Sequence, residues 1–344
     1  MTWPDGSAAM AREESVAVAH SVYGLRLAAN VAVPGLSIAS NSDGIIDVRM
    51  RLKQDGFPPP AGRLGCEAFY VSPFKDANGE AELRAAILNG GAHFEFSYCD
   101  GTRFVIDRHG GEVVADWPDR LTLEDIAPYV VGPILGFILR LRGIIPLHAS
   151  AVTIGEHAIA LMGPAGAGKS TTAGAFARCG RRVISDDVVA LRPEGSGFVV
   201  PPGYPRVNLW TGSVQALFGA NGRLPLISPD WDKHFMPLDQ KTQFEARSLP
   251  LGAIYVFQKR EAGLAAPVVE SVTGAEAFVA LLGNTYMNYW PDPEMRRREF
   301  EILGRVAAQV PVRRVRAAAD PAMLFDLCET IAADTRRLLP SLAT

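Results

Sequence analysis

The sequence predicts an α/β chain with a phosphate-loop domain over 121–344 and a smaller β-rich or α+β domain over 1–120. Three observations predict it. Gly163 to Ser170 reads Gly-Pro-Ala-Gly-Ala-Gly-Lys-Ser, a full G-x-x-x-x-G-K-[ST] loop. An apolar run (His157 to Met162) precedes it and a helix-compatible stretch (Thr171 to Cys179, ending at Gly180) follows. Strand, loop, helix is the order that aims a helix N-terminus at phosphate. Second, residues 16–120 alternate short β-like runs with turns and carry no catalytic motif. Third, apolar runs recur after the loop, among them Arg182 to Ser185 and Leu251 to Gln258, with helical periodicity over 273–283 and 321–338.

Composition narrows the class. A chain of 344 residues favours two domains. Its net charge of −3 offers no basic excess for nucleic acid. Four cysteines (Cys66, Cys99, Cys179, Cys328) stand at no metal-ligand spacing and read as reduced, mostly buried thiols of a cytoplasmic protein. The start carries Arg12, Glu13 and Glu14 and no apolar signal segment. Ile126 to Ile145 is apolar, but Pro128, Pro133, Arg140 and Arg142 interrupt it. No membrane span is expected there. Thr122 and Asp125 stand at capping-box spacing before it, so a buried helix packed on the phosphate-loop domain is expected.

In chain order, residues 1–15 read as a loose polar start. Ile45 to Leu52, His93 to Tyr98 and Arg103 to Ile106 read as strands, with turns at Gly56 to Gly62 and Asp107 to Gly111. After the helix, 146–162 reads as a β-hairpin with its turn at Gly155. A strand then ends at Asp186 and Asp187, β-character resumes over Val188 to Leu191, and 201–247 reads as irregular.

The loop fixes the ligand class. Gly163, Pro164, Ala165, Gly166, Ala167, Gly168 and Thr171 would wrap a polyphosphate with backbone N–H groups. Lys169 would meet the β/γ-phosphates and Ser170 would offer its hydroxyl to Mg²⁺. Asp186 and Asp187 add a second feature, since two acids beside a phosphate loop can split the work. One holds metal directly or through water; the other accepts a proton from an attacking hydroxyl. Neighbouring strand residues point to opposite faces, so both acids reach one site only if the strand ends or bulges there. His148 is a third candidate, able to donate a hydrogen bond or orient a nucleophile.

The three features together resemble the catalytic core of the HPr serine kinase/phosphorylase family. The resemblance covers His148 to Leu191 closely (LHASAV, GPAGAGKS, CGRRVISDDVVAL) and weakens through Gln258. It implies the kinase fold shared with phosphoenolpyruvate carboxykinase, the cofactors ATP and Mg²⁺, and phosphorylation of a serine hydroxyl on a protein or peptide. Carried over, Asp187 is the proton acceptor, His148 and Lys169 are catalytic, Ser170 helps bind Mg²⁺, and Asp186 supports Asp187 or the metal. The family is homo-oligomeric. Its Glu-Ile-Arg-Gly segment is here Gly203 to Trp210 (GYPRVNLW), which has no Glu; Arg206 is its only charge and is read as a phosphate or acceptor contact. The family's later Gly-rich, arginine-bearing segment is not recognisable, so reversal by inorganic phosphate is not implied.

The layout also resembles tailoring kinases of ribosomally made peptides, including lasso-peptide precursors. Residues 1–120 and 201–237, where Lys233 and His234 follow Trp231 and Asp232, are candidates for holding such a chain. Two other readings stay open: a small-molecule kinase on the same fold, and a nucleotide-binding regulator that transfers nothing.

Overall fold

The computed structural model describes residues 17–39, 44–53, 67–228, 232–288 and 292–339. The expected loose start, the turn at Gly56 to Gly62, and Cys66 and Trp231 lie outside the described residues. The chain forms a mixed α/β structure with two large sheets and one small one.

Alternation builds the first sheet. Val48–Leu52 buries Val48, Met50 and Leu52 and turns Arg49 and Arg51 outward, the period of a strand covered on one face. Its strands are β1 (Val18–Val22), β2 (Leu25–Ala29), β3 (Val48–Leu52), β4 (Glu67–Val71), β5 (Leu83–Leu88), β6 (His93–Tyr98), β7 (Arg103–Asp107) and β8 (Glu112–Asp116). They lie in the order β1-β2-β3-β8-β7-β6-β5-β4. Only β3 runs parallel to its neighbours. The turn after β7 is closed by the Asp107 carboxylate, which accepts from the backbone of His109 and Gly111.

The helical segment follows as α1 (Leu123–Tyr129), a wider π-type turn over Val130–Ile134, and α2 (Leu135–Leu141). The Thr122 N–H and hydroxyl both donate to Asp125, at 2.9 and 2.8 Å. The widened turn carries the helix past Pro133, which has no N–H to give. Its partner differs from expectation. Ile126, Ile134, Phe137 and Ile138 join the core of the first sheet with Phe94, Phe96 and Phe104. The Phe137 ring lies 5.2 Å from Phe94 and 4.9 Å from Phe96, centroid to centroid. The inner face of β6 and β7 presents more aromatic surface than its own sheet can cover, and the helix covers it.

The second sheet holds the loop. It contains β9 (Ile145–Leu147), β10 (Ala149–Ile154) and β11 (His157–Met162), then β12 (Val183–Ser185) beyond α3 (Lys169–Arg178). β13 (Val189–Glu194) and β14 (Gly197–Val200) follow. β15 (Arg206–Trp210), α4 (Thr211–Phe218) and β16 (Lys233–Pro237) stand apart, before β17 (Leu249–Phe257). The chain closes with β18 (Val268–Val272), α5 (Gly274–Leu282), α6 (Pro293–Gln309), β19 (Val312–Arg316) and α7 (Leu324–Leu338). The expected hairpin exists as β10–β11, from Ala149↔Met162 to Ile154↔His157. β9 pairs instead with β13. β11 lies between β10 and a parallel β17. It is buried on both faces, which is why its sequence is continuously apolar and not alternating.

Three expectations are corrected. The segment 201–247 is not irregular: β15 and β16 pair antiparallel as a separate two-stranded sheet, with α4 between them. Cys99 and Cys179 are exposed; among the described cysteines only Cys328 is buried. Helix α6 escaped the periodicity reading, although Asp292 caps it at Glu294 and Met295 and Pro293 opens it. No helix among the described residues is long and apolar enough to cross a membrane.

Candidate functional site

The phosphate loop leaves β11 through Gly163. This residue has φ 143°, and a Cβ there would lie 2.6 Å from the Phe257 carbonyl oxygen on β17. Only glycine lets the loop turn so close to the neighbouring strand. Pro164, Ala165 and Gly166 form an exposed crest, and nothing lies within 4 Å of a Cβ built on Gly166. Ala167 is buried and anchors the loop from below. Gly168, with φ 101°, turns the chain into α3, so Lys169, Ser170 and Thr171 form the first turn of that helix. Thr171 Oγ1 lies 2.8 Å from Ser213 Oγ on α4.

Lys169 is buried, and its Nζ donates to the carbonyls of Gly163 at 2.8 Å and Pro164 at 3.2 Å. Burial lowers its pKa, while Asp187 and Asp186 pull it back up. Asn284 ties the loop to the candidate histidine. Its side-chain oxygen accepts from the Gly163 N–H at 3.1 Å, and its backbone carbonyl accepts from the His148 N–H at 2.8 Å.

The two acids follow the end of β12. Asp187 has φ 63°, a left-handed backbone at a residue that is not glycine. The strand therefore ends before alternation can send the two carboxylates apart. Asn208 on β15 bridges them: its N–H donates to Asp186 Oδ2 at 2.8 Å, and its Nδ2 donates to Asp187 Oδ2 at 2.7 Å. Asp186 is fully buried, and its other oxygen accepts from Ser150 Oγ at 2.6 Å. Burial, then the adjacent Asp187 carboxylate, pushes Asp186 up to about 6. Burial acts on Asp187 in the same sense, but Lys233, Asn208 and His148 outweigh it and hold the carboxyl below its ordinary value. Lys233 Nζ lies 3.3 Å from Asp187 Oδ2.

This arrangement separates roles that adjacency in sequence left mixed. Asp186, expected to support Asp187 or the metal, has both oxygens engaged, by Ser150 and Asn208. Asp187 is the acid that faces open space. His148 stacks on Tyr286, with ring centroids 5.7 Å apart. Its pKa is lowered by burial first and by Lys169 second. Its Nδ1 is buried and makes no hydrogen bond.

A cavity of about 540 Å³ opens beside these groups. His148, Asp187, Asn208, Arg206 and Lys233 line it. Pro34 and Gly35 from the first-sheet region and Pro128, Tyr129, Val131, Gly132 and Pro133 from the helical segment also line it. No residue of the loop, 163–171, lines it. A second, smaller hollow of about 160 Å³ lies on the loop side, lined by Gly166, Gly168, Thr171, Ser213 and Arg260.

Arg260 was missed by sequence reasoning. A Cβ on Gly168 would collide with its guanidinium, so the arginine lies directly against the loop. Its position just past β17, the strand parallel to β11, is the signal that could have found it. Asn208 gave no such signal, because a lone asparagine inside GYPRVNLW shows its use only once β15 is placed beside β12.

The residues fit a nucleotide triphosphate with Mg²⁺. The crest is open at Gly166, the loop leads into a helix N-terminus, and a buried lysine lies along the loop. The described residues hold no cluster of three or more His, Cys, Asp or Glu side chains suited to a metal. Mg²⁺ bound with substrate phosphates needs only one or two protein oxygens, and Ser170, in the first turn of α3, would supply one.

No family model matches the chain, and no curated protein matches it. Among solved structures, the chain is similar to the HPr(Ser) kinase/phosphatase from Coxiella burnetii. The identity is 15%, over 57% of this chain and 98% of that one, with a TM-score of 0.30. A likeness that low carries no weight for activity, and the reading below rests on the site.

Proposed function

We propose that the chain transfers a phosphoryl group from ATP to an alcohol hydroxyl. One observation carries this reading. Asn284 ties the loop at Gly163 to His148, and His148 and Asp187 line one cavity that no loop residue enters. An acid able to take a proton is thus tied through Asn284 and His148 to the phosphate loop. Binding alone would not need the second acid.

Bound ATP with Mg²⁺ would supply the transferable group and offset its charge. The chain's own residues do the rest. Backbone N–H groups of 163–171 hold the phosphates, and Lys169 adds a positive charge at the transferring end. Asp187, ionised at neutral pH, takes the hydroxyl proton. Asn208 and Lys233 fix its orientation, and buried Asp186 keeps Asn208 in place. His148, whose pKa burial lowers, can give or accept a hydrogen bond at the reacting oxygens. The acceptor we carry forward is a serine of a peptide or protein, including the precursor of a ribosomally made peptide. A small hydroxylated molecule is the second reading, and a cavity of about 540 Å³ favours it because that volume holds a few residues and no folded partner.

The test is phosphoryl transfer followed by mass spectrometry, with ATP, Mg²⁺ and a pool of serine peptides and small alcohols. Asp187→Asn should lower transfer by roughly 10²–10⁴-fold while nucleotide binding survives. Lys169→Ala should weaken both. Near wild-type transfer by Asp187→Asn would remove the proton-acceptor role, and intact ATP binding by Lys169→Ala would move the nucleotide elsewhere.

A further inference from the structure

Arg206 is a cation that the proposed transfer step does not use. It opens β15, is half-buried, and lines the larger cavity with Asp187 and Lys233. Lys233 is matched by Asp187. Arg206 pairs with no carboxylate among the described residues; its guanidinium lies 4.2 Å from the centre of the Phe235 ring. From the first-sheet region, Gly35 closes on it. A Cβ at Gly35, which has φ 88°, would lie 3.0 Å from Arg206 Cζ. An aromatic ring and a glycine backbone thus hold the guanidinium in place.

Such a group is expensive to keep without an anion, because half its hydration is gone and no protein charge replaces it. The anion it waits for is not the nucleotide's, since no loop residue lines this cavity and the hollow beside Gly166 and Gly168 lies apart from it. A flat guanidinium matches a carboxylate through two parallel N–H···O bonds. The acidic residues of the cavity other than Asp187, Glu82 and Glu124, are exposed. We infer that the acceptor carries a carboxylate bound by Arg206 while its hydroxyl faces Asp187. This rests on the kinase reading. Two sources present that chemistry, a free hydroxy acid and a chain-terminal serine.

Calorimetry on the full chain tests it without turnover. The probes are N-acetyl-L-serine against N-acetyl-L-serinamide, and a serine-ended peptide as free acid against amide. The free acids should bind about tenfold or more tightly than the amides, the size of one charge-assisted hydrogen bond. Arg206→Gln should erase that preference, Arg206→Lys should keep part of it, and ATP affinity should stay unchanged in both. A preference for the small acid marks a metabolite acceptor; a preference confined to the peptide acid marks a chain end. Equal binding of acid and amide by the wild type, binding of neither, or a preference that survives Arg206→Gln would overturn the inference. So would a loss of ATP affinity in Arg206→Gln equal to the loss for the acid. The kinase reading fails separately, if bound acids are never phosphorylated although the acid preference is intact.

Discussion

Asp187 holds a left-handed backbone, which costs a residue with a Cβ roughly 1–2 kcal/mol. Asparagine tolerates that conformation nearly as well as aspartate, so Asp187→Asn is a test of charge and not of fold. Asp186 offers a test of pH. Its folded pKa of about 6 lies above the unfolded carboxyl range, near 4 in round terms (about 4). A carboxyl that binds its proton more tightly when folded takes stability away as pH rises through that window. Asp187, whose pKa is lowered, acts in the opposite sense: its contribution is present above the ordinary carboxyl range and is lost as pH falls through its folded value. Asp186→Asn fits the same pocket, with the amide oxygen accepting from Asn208 and the amide nitrogen donating to the Ser150 hydroxyl. Its stability relative to wild type should therefore be better at pH 8 than at pH 4, by on the order of 1–3 kcal/mol, in urea unfolding at the two pH values. A difference that does not change with pH would mean that folding does not raise the Asp186 pKa. Arg260 gives the complementary test on the nucleotide side. Its guanidinium lies against Gly168 with no carboxylate partner among the described residues. Arg260→Gln should weaken ATP binding about tenfold and leave acid binding at Arg206 untouched; the reverse pattern would exchange the two sides of the site.

The element that organises this chemistry is the short path from β11 through the loop into α3. Gly163 is its tightest point. Gly163→Ala adds a methyl group 2.6 Å from the Phe257 carbonyl at a positive φ. The loop must then leave β17, and ATP binding should be lost with a fall in melting temperature of several degrees (roughly 2–4 °C per kcal/mol for a chain of this size). Retained affinity would show that the loop tolerates a wider path. This element was legible in the sequence because everything that defines it is local: apolar strand, glycine spacing, lysine, helix. The cap at Thr122 and Asp125 was legible for the same reason. The helix's packing partner was not, since an apolar face states that something covers it but not which sheet. The β15–β16 pair was hidden further. Arg206 to Trp210 meets Lys233 to Pro237 across a long connection, and Pro and Gly around both runs mask their β-character. Asn208, Arg206 and Lys233 reach the cavity through that pairing; the sequence showed the two cations as candidates but not the strands that bring them beside Asp187.

At the scale of the whole molecule, the first sheet and the segment carrying the paired acids share one core. Val188 and Ala190 follow the paired acids, and Tyr204 and Met287 come later still; all four pack with the strands and helix of residues 22–139. Tyr23 ties the same junction by polar bonds: its N–H donates to the Pro202 carbonyl at 2.6 Å and its hydroxyl to the Val131 carbonyl at 3.0 Å. The larger cavity lies at this junction, lined by Pro34 and Gly35 as well as Asp187. Composition suggests a boundary at 120/121, but a cut there would strip Ile126, Ile134 and Phe137 of the aromatic face that covers them. The full chain should therefore unfold as one cooperative unit, and residues 121–344 alone should not form a stable fold. Phe137→Ala probes the same coupling without a cut. It removes a ring packed on Phe94 and Phe96, at a cost of about 3–5 kcal/mol. Because the helical segment walls the cavity while the loop lies on the other sheet, the surviving folded protein should lose more affinity for the acceptor probe than for ATP. Calorimetry below the new melting point would measure both. Equal losses would mean that strain spreads through the second sheet, and a stable 121–344 fragment with normal ATP affinity would mean that the two sheets fold independently and meet only to enclose the acceptor.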